Sequence, residues 1–259
     1  MPKNKNDSAK GQKDKSNKIV RAIKVLALGF LLYAIPTVLA IISLLIFEST
    51  IGGRSGPQLG DDLEKSPLAQ LIAAIIALPI LFSWLYFILK SGREKWQAIG
   101  IKKPLLKHFG YAVLAYATIL AIMYALRLTA GHFINFNQEA DTGYSADLKG
   151  AGLVYAFITV VLIAPVMEEV VFRGYVFSRL RNFLKFIPSV ILVSLLFGYL
   201  HLHNGKGGAI AWAAFTETFV ASIVLCILRE KTGNIWAGVC VHAVNNLVSL
   251  VTFFTFFRL

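Results

Sequence analysis

Long apolar segments separated by short polar ones run through most of this chain. A helix that crosses a bilayer needs roughly 20 mostly apolar residues. That length predicts about seven spans, with eight as the alternative count, at 25–47, 68–89, 111–128, 152–171, 188–201, 209–228 and 235–257. The alternating ten-residue strands of a membrane barrel are absent from the sequence, and open backbone groups are not tolerated in lipid. The pattern therefore predicts an all-α, polytopic transmembrane helical bundle.

Composition agrees with this fold class. Hydrophobic residues make up 56% of the 259 positions and charged residues only 15%, too few to cover a soluble surface. Two cysteines, Cys226 and Cys240, lie in separate apolar segments. We interpret them as small buried hydrophobic residues rather than as a disulfide.

The net charge of +12 is concentrated at particular places. Residues 1–24 carry eight lysines and arginines against two aspartates, without apolar periodicity. We predict a disordered basic tail that contacts membrane lipids, followed by one membrane-embedded domain over 25–259. Nucleic acid is not an expected partner, because no aromatic residues interleave with these lysines.

The remaining charges predict an orientation. Segment 90–107 carries six lysines and arginines against one glutamate, and 174–187 and 229–234 are also basic, whereas 48–66 and 131–150 are acidic. The lysine and arginine bias places the N-terminus and the basic segments in the cytoplasm of a multi-pass cell-membrane protein. Bulky and basic residues alternate over 174–186, which predicts an amphipathic helix on the cytoplasmic interface.

Ionisable residues inside the apolar segments are the candidates for chemistry. Glu168 and Glu169 end the fourth segment, and Arg173 follows Glu169 at helical spacing. Acidic residues cost about 2.5–3.5 kcal/mol each at a membrane helix centre, so they are functional candidates. Glu169 and Arg173 share a helix face and can pair, which leaves Glu168 free to react.

Two later segments carry polar groups one helical turn apart. Phe197 and His201 are separated by four positions, and so are His242 and Asn246. Each pair alone is compatible with interfacial anchoring or interhelical hydrogen bonding. The coincidence of all three patterns on successive segments favours one shared site. We expect Glu168, His201 and His242 to converge in a cavity that opens to the cytoplasm.

The ordered motifs Glu-Glu-x-x-x-Arg, Phe-x-x-x-His and His-x-x-x-Asn resemble those of the CAAX protease and bacteriocin-processing (CPBP, Abi) family of glutamic intramembrane endopeptidases. The resemblance covers about 150–250, and the stretch EKWQAIGIKKP ahead of it is similar as well. It implies an endopeptidase that needs no metal or other cofactor.

The resemblance also implies roles for the individual residues. Glu168 is the general base for the attacking water and His201 assists it, while His242 and Asn246 stabilise the oxyanion. Supporting roles fall to Glu169, Arg173 and Phe197. A buried carboxylate and hydrogen-bond donors in a water-poor cavity are suited to such chemistry.

Other functions stay open on the sequence alone. Glu168, His201 and His242 also form a possible two-histidine, one-glutamate zinc set, although no His-Glu-x-x-His occurs. A non-catalytic bacteriocin-immunity or scaffold protein is the alternative from another class, and a transporter is a third. The expected substrate is a small hydrophobic or membrane-tethered peptide, of prenylated, bacteriocin or pheromone type, in a prokaryotic plasma membrane.

Overall fold

Helices make up most of the part of the chain that the structure describes. The computed structural model describes residues 5–52, 56, 59–136, 144–145, 147–202 and 210–256. Within these residues the helices are α1 (Lys5–Thr50), α2 (Leu59–Glu64), α3 (Pro67–Ser91), α4 (Leu106–Ala130), α5 (Ala151–Arg181), α6 (Phe186–Leu200), α7 (Trp212–Thr232) and α8 (Trp236–Phe256). A 3₁₀ turn, Trp96–Ile99, lies between α3 and α4.

The helical bundle predicted from the apolar segments is confirmed. In the described part of the chain, six helices are long and apolar enough to cross a membrane by length and composition. The shorter apolar helix α6 corresponds to the short fifth segment. Positions 209 and 257, where two predicted spans begin and end, lie outside the described residues.

The N-terminal region differs from the expected disordered tail. Helix α1 already begins at Lys5, so 5–24 continue the first apolar helix, while 1–4 lie outside the described residues. Extending an existing helix adds one hydrogen bond per ordered residue without a new nucleus. An exposed ion pair one turn apart, Lys18 to Asp14 at 2.8 Å, lies on this extension.

Helix α5 is the centre of the bundle. It packs against α1, α3, α6, α7 and α8. Residues 170–177 are buried on every side of the helix, including Arg173 and Phe172 with no exposed surface. Because α5 is surrounded, any side chain on it must be compatible with a packed interior.

The prediction of a separate amphipathic helix over 174–186 is wrong. Residues up to Arg181 continue α5 without a break, and a turn then leads into α6 at Phe186. Val176, Phe177 and Leu180 are buried, so the bulky residues of the alternating pattern pack on other helices instead of on lipid headgroups. Phe177 contacts Phe186 edge to face, with ring centroids 6.4 Å apart.

A network of backbone contacts fixes the turn between α7 and α8. The Asn234 side chain is buried and donates hydrogen bonds to the carbonyls of Lys102 and Lys103, at 3.0 and 3.2 Å. Its own oxygen accepts from the Trp236 N–H at 2.8 Å, which caps the start of α8. One side chain thus attaches the segment after α3 to the α7–α8 turn.

Replacement of Asn234 by alanine should destabilise the bundle. The change leaves two backbone carbonyls and one helix N–H without their partner, for an expected loss of about 1–3 kcal/mol. Thermal unfolding in detergent measures it, with Asn182→Ala at an exposed helix end as the matched control. Equal melting temperatures for the two variants would contradict this account of the turn.

Candidate active site

Glu168, His201 and His242 come together in the middle of the bundle. Glu168 lies on α5, His201 directly follows α6, and His242 lies on α8. The Nε2 atoms of His201 and His242 are 3.9 and 3.7 Å from Glu168 Oε2. All three side chains line one cavity of ≈ 740 Å³. The structure therefore shows the convergence expected from the sequence.

The α7–α8 turn and the α5–α6 turn lie at different depths in the bundle. This difference brings Glu168, His201 and His242 to one level. A Cβ on Gly238 of α8 would lie 2.6 Å from Glu169 Oε2, and a Cβ on Gly174 would lie 3.1 Å from the Ile99 carbonyl. Helix α5 continues beyond Gly174 to Arg181, so the α5–α6 turn extends about 10 Å past the level of Ile99.

The cavity extends in the direction opposite to the one expected. From Glu168 it follows α4 and α8 as far as Arg127 and Phe253, at the helix ends away from the basic segments. Toward the basic segments, 170–177 are buried and close the bundle. The predicted opening toward the basic segments is therefore wrong. The spacing of the motifs predicts how deep their residues lie in the bundle, but it does not show at which end the helices diverge.

Polar groups mark the far end of the cavity. Arg127 and Glu217 form an ion pair of 3.1 Å there, with side chains 50% and 41% exposed. Tyr144 also lines this end. Burial raises the pKa of its hydroxyl to about 12, so Tyr144 is protonated over the physiological range.

Glu169 and Arg173 form a fully buried ion pair. Arg173 Nη1 lies 2.8 Å from Glu169 Oε1, and neither side chain has exposed surface. The Phe197 ring covers the other side of the guanidinium, with the ring centroid 4.4 Å from Cζ. The expected supporting roles of these three residues have a physical basis, because each contributes to holding one buried charge.

His242 lies between the two adjacent glutamates. Its Nδ1 is 3.2 Å from Glu169 Oε1, the same oxygen that contacts Arg173. With a proton on Nδ1 donated to that carboxylate, the ring is fixed so that Nε2 is directed toward Glu168. Phe197 packs edge to face against the imidazole at 5.9 Å. Glu169 thus orients the histidine that faces the cavity.

His201 is oriented by the last turn of α6. Its Nδ1 lies 2.8 Å from the Phe197 carbonyl oxygen, and its ring packs on the Phe197 ring at 4.5 Å. A donated Nδ1–H leaves the lone pair of Nε2 facing Glu168. One phenylalanine therefore contacts both histidines and the arginine.

Asn246 lines the cavity but is partly engaged elsewhere. Its amide nitrogen donates to the Val160 carbonyl at 2.9 Å. Val160 lies in a π-helical stretch, Ile158–Ile163, where a carbonyl bonds the N–H five residues later. That residue is Pro165, which has no N–H, so the asparagine replaces the missing donor. The amide has a second N–H, which remains available for the oxyanion role that the sequence suggested.

Irregular helix geometry surrounds the glutamates. π-helical stretches Ile158–Ile163 and Val170–Val176 flank the α-helical turn Ala164–Glu169. Such stretches are rare and often occur at functional sites, because each shifts the following side chains around the axis. The motif spacing alone gave no sign of them.

Tyr33 is a site residue that sequence reasoning missed. Its hydroxyl interacts with the Glu168 carboxylate, and its ring packs on Phe172 with centroids 5.6 Å apart. Tyr33 and Glu168 also line a second cavity, of ≈ 800 Å³, between α1, α3 and α5. In the sequence, the feature that could have pointed to Tyr33 was its hydroxyl group within the apolar segment of α1.

The possible zinc set of Glu168, His201 and His242 stays a prediction. In the described part of the chain, no group of three His, Cys, Asp or Glu side chains that could hold a metal ion is found. Chelation is the direct test of the zinc alternative.

Comparison with known proteins identifies the segment that carries the site. Residues 150–248 match the model of the family described as Rce1-like, type II CAAX prenyl endopeptidase Rce1-like. This match agrees with the resemblance of the motifs to the CAAX protease and bacteriocin-processing family. The family segment runs from α5 into α8, whereas Tyr33 lies outside it.

A curated protein is also similar to this chain. The uncharacterized protein YyaK of Bacillus subtilis (strain 168) is 28% identical over 134 residues. The match covers 49% of this chain and 44% of the relative, so it spans less than half of that protein. No solved structure matches the chain.

Replacement of Gly238 by alanine should disturb the buried charges. The added Cβ would lie 2.6 Å from Glu169 Oε2, and that carboxylate is already held by Arg173 and His242. We expect a loss of about 1–3 kcal/mol in stability, measured by thermal unfolding in detergent.

Gly110→Ala is the matched control, because a Cβ there meets nothing within 4 Å. Alanine in an open helical position stabilises a protein slightly or has no effect. A melting temperature for Gly238→Ala at or above that of Gly110→Ala would show that the close approach to Glu169 is not constraining.

Proposed function

We propose that the protein is an intramembrane endopeptidase in which Glu168 activates the attacking water without a metal. The observation that carries the proposal is the position of the Glu168 carboxylate, with two histidine Nε2 atoms 3.7 and 3.9 Å away in one cavity. The match of residues 150–248 to the model of a CAAX prenyl endopeptidase family supports a hydrolytic reaction.

The first step adds water to the peptide carbonyl. The water oxygen forms a bond to the carbonyl carbon while Glu168 accepts a proton, and His201 Nε2 hydrogen-bonds the same water. A water molecule fits this geometry, because polar atoms separated by more than about 3.5 Å are commonly bridged by water. The electron pair of the C=O bond moves onto oxygen to form the oxyanion.

His242 and Asn246 stabilise that oxyanion. Glu169 compensates the charge of a protonated His242, whose Nε2–H then donates into the cavity. Asn246 contributes the N–H that is not bonded to Val160. Glu168 next gives its proton to the amide nitrogen as the C–N bond breaks, which releases a carboxylic acid and an amine and restores the Glu168 carboxylate.

The substrate is a small hydrophobic or membrane-tethered peptide. Apolar side chains dominate the lining of the cavity, and the surrounding helices have the length and composition of membrane spans. Prenylated, bacteriocin-type and pheromone-type peptides all have this chemistry. We place the protein in a prokaryotic plasma membrane with its N-terminus in the cytoplasm, on the lysine and arginine bias.

A non-catalytic scaffold or immunity protein is the second candidate. A protein that only binds a partner does not need Glu168 beside two oriented histidines. The variant Glu168→Gln therefore distinguishes a scaffold from a peptidase. The carboxamide keeps the shape of the side chain and cannot accept the proton. A scaffold retains its partner and its cellular effect in this variant, whereas the peptidase does not cleave.

Loss of Glu168 or His242 should abolish cleavage. With purified protein in liposomes and a panel of membrane-tethered peptides, we expect Glu168→Gln and His242→Ala to lower kcat about 10²–10⁴-fold. Glu48→Gln, at the far end of α1, is the matched control and should cleave like the wild type.

A chelator should leave wild-type cleavage unchanged. Activity that disappears on chelation and returns with zinc would instead make Glu168 and the histidines metal ligands. If Glu168→Gln and His242→Ala both cleave a panel peptide at the wild-type rate, the assigned roles are contradicted.

Tyr33→Phe should lower kcat about tenfold with KM changed less than twofold. The hydroxyl contacts the Glu168 carboxylate, and a hydrogen bond to a charged group contributes about 1.5 kcal/mol, or one factor of ten in rate. Steady-state kinetics measure the split between kcat and KM. Tyr86→Phe, an exposed position of α3, is the control; equal kinetics for both variants would remove Tyr33 from the site.

A further inference from the structure

Glu168 borders two cavities. The catalytic cavity, which contains the two histidines, is bordered on α5 by Val160, Ala164 and Glu168. The second cavity, between α1, α3 and α5, also reaches Ala164 and Glu168. The same carboxylate therefore lines two spaces, and the proposed mechanism uses only the first of them.

Small side chains on α3 keep the second cavity open. The face of α3 that lines it consists of four alanines and one glutamine: Ala69, Gln70, Ala73, Ala74 and Ala77. On α1 the lining runs from Tyr33, which contacts Glu168, to Leu45, which packs in one cluster with Leu63 of α2. These two positions of α1 are about 18 Å apart along the helix. Because α2 lies between the membrane-spanning helices α1 and α3, and its Asp62 is exposed, the cavity extends from Glu168 to the aqueous end of the bundle.

Polar side chains are distributed along this otherwise apolar cavity. Thr37 lies on α1, Gln70 on α3 and Thr159 on α5, and the Tyr33 hydroxyl interacts with the Glu168 carboxylate. Among the described residues the buried Thr159 hydroxyl oxygen has no hydrogen-bond partner. Buried polar groups are normally paired, and a cavity holds water when it is roomy and offers about two to four polar partners for each molecule. A volume of ≈ 800 Å³ with these side chains meets both conditions.

Hydrolysis needs a supply of water during peptide binding. Each cleaved peptide bond consumes one water molecule, and a hydrophobic peptide in the catalytic cavity displaces the water there. New water then has to reach Glu168 from a space that the peptide does not fill. The second cavity has this property, because it reaches the same carboxylate from another side of α5.

We propose that the second cavity is the binding site for the water that the reaction consumes, and that this water passes Tyr33 to reach Glu168 while peptide occupies the catalytic cavity. The inference rests on the proposed peptidase function and goes beyond it, because it assigns the two substrates of hydrolysis to separate cavities. An apolar part of the peptide would occupy the same space only by displacing this water. The two occupants affect turnover differently.

Hydroxyl-radical footprinting detects water beside buried methionines, because radicals formed from that water oxidise the thioether to the sulfoxide. Met167 lines the second cavity and is 6% exposed, whereas Met123 lines the catalytic cavity. In the wild type in liposomes without peptide we expect both methionines to be oxidised. In Ala74→Phe a ring takes the place of the water, so Met167 oxidation should fall about tenfold while Met123 oxidation stays unchanged.

Two results of this footprinting overturn the proposal. In the first, Met167 of the wild type is not oxidised above the background of an unirradiated sample, so the second cavity is dry. In the second, Met167 is oxidised equally in Ala74→Phe and in the wild type, so the water lies elsewhere. Met123 serves as the internal check that the variant keeps its packing.

Steady-state kinetics in liposomes relate this water to turnover. Ala74→Phe should lower kcat about tenfold and change KM less than about twofold, because peptide binding is untouched while water arrives more slowly. Ala117→Phe, at an exposed position of α4 outside both cavities, is the matched control and should cleave like the wild type. A raised KM with unchanged kcat would show that the second cavity binds part of the peptide. That result overturns the proposal, as do unchanged kinetics.

Thr159→Val keeps the test independent of the folding of Ala74→Phe. It replaces the unpartnered hydroxyl with a methyl group and should lower both Met167 oxidation and kcat about threefold. Wild-type values of both overturn the proposal. Footprinting needs no catalysis, so the two proposals fail in different ways: a wild type that cleaves no panel peptide contradicts the peptidase function, whereas a dry second cavity in an active enzyme contradicts only the water path.

Discussion

A buried charge must be matched where no water can reach it, and the centre of this bundle is organised around that requirement. Arg173 has no exposed surface, and its partner Glu169 has none either. Removing one member of such a pair typically costs about 3–5 kcal/mol, because the other charge is left unpaired. The Phe197 face, the Gly238 backbone and the His242 ring all contact this pair. Three helices, α5, α6 and α8, therefore meet at a single electrostatic constraint.

That constraint also separates two adjacent and chemically identical residues. Glu169 Oε1 contacts both Arg173 and His242 in the packed interior, whereas Glu168 lines the cavity with two histidine Nε2 atoms 3.7 and 3.9 Å away. Neighbouring positions on a helix point about 100° apart, so one faces the packed interior and the other the cavity. In the proposed mechanism this difference in environment leaves Glu168 to react and Glu169 to support it, as in other sites where two carboxylates have different functions.

The sequence was sufficient for features that depend on local periodicity. Apolar runs located the helices, and four-residue spacing related Glu169 to Arg173 and His242 to Asn246. Features set by contacts between distant segments were not accessible. The continuation of α5 to Arg181 depends on neighbours that bury Val176 and Leu180, and the closed end depends on Asn234 reaching Lys102. Tyr33 was missed because a single tyrosine in an apolar helix has no spacing to relate it to Glu168.

The distribution of the site along the chain has a consequence for biosynthesis. Membrane helices are made and inserted in sequence order, and this site takes Tyr33 from α1 and His242 and Asn246 from α8. A nascent chain that has inserted α1 to α7 already contains Glu168, Tyr33 and His201 but still lacks His242 and Asn246. Under the proposed function, the two oxyanion donors are in place only when the last helix docks, after the rest of the bundle has been threaded into the bilayer.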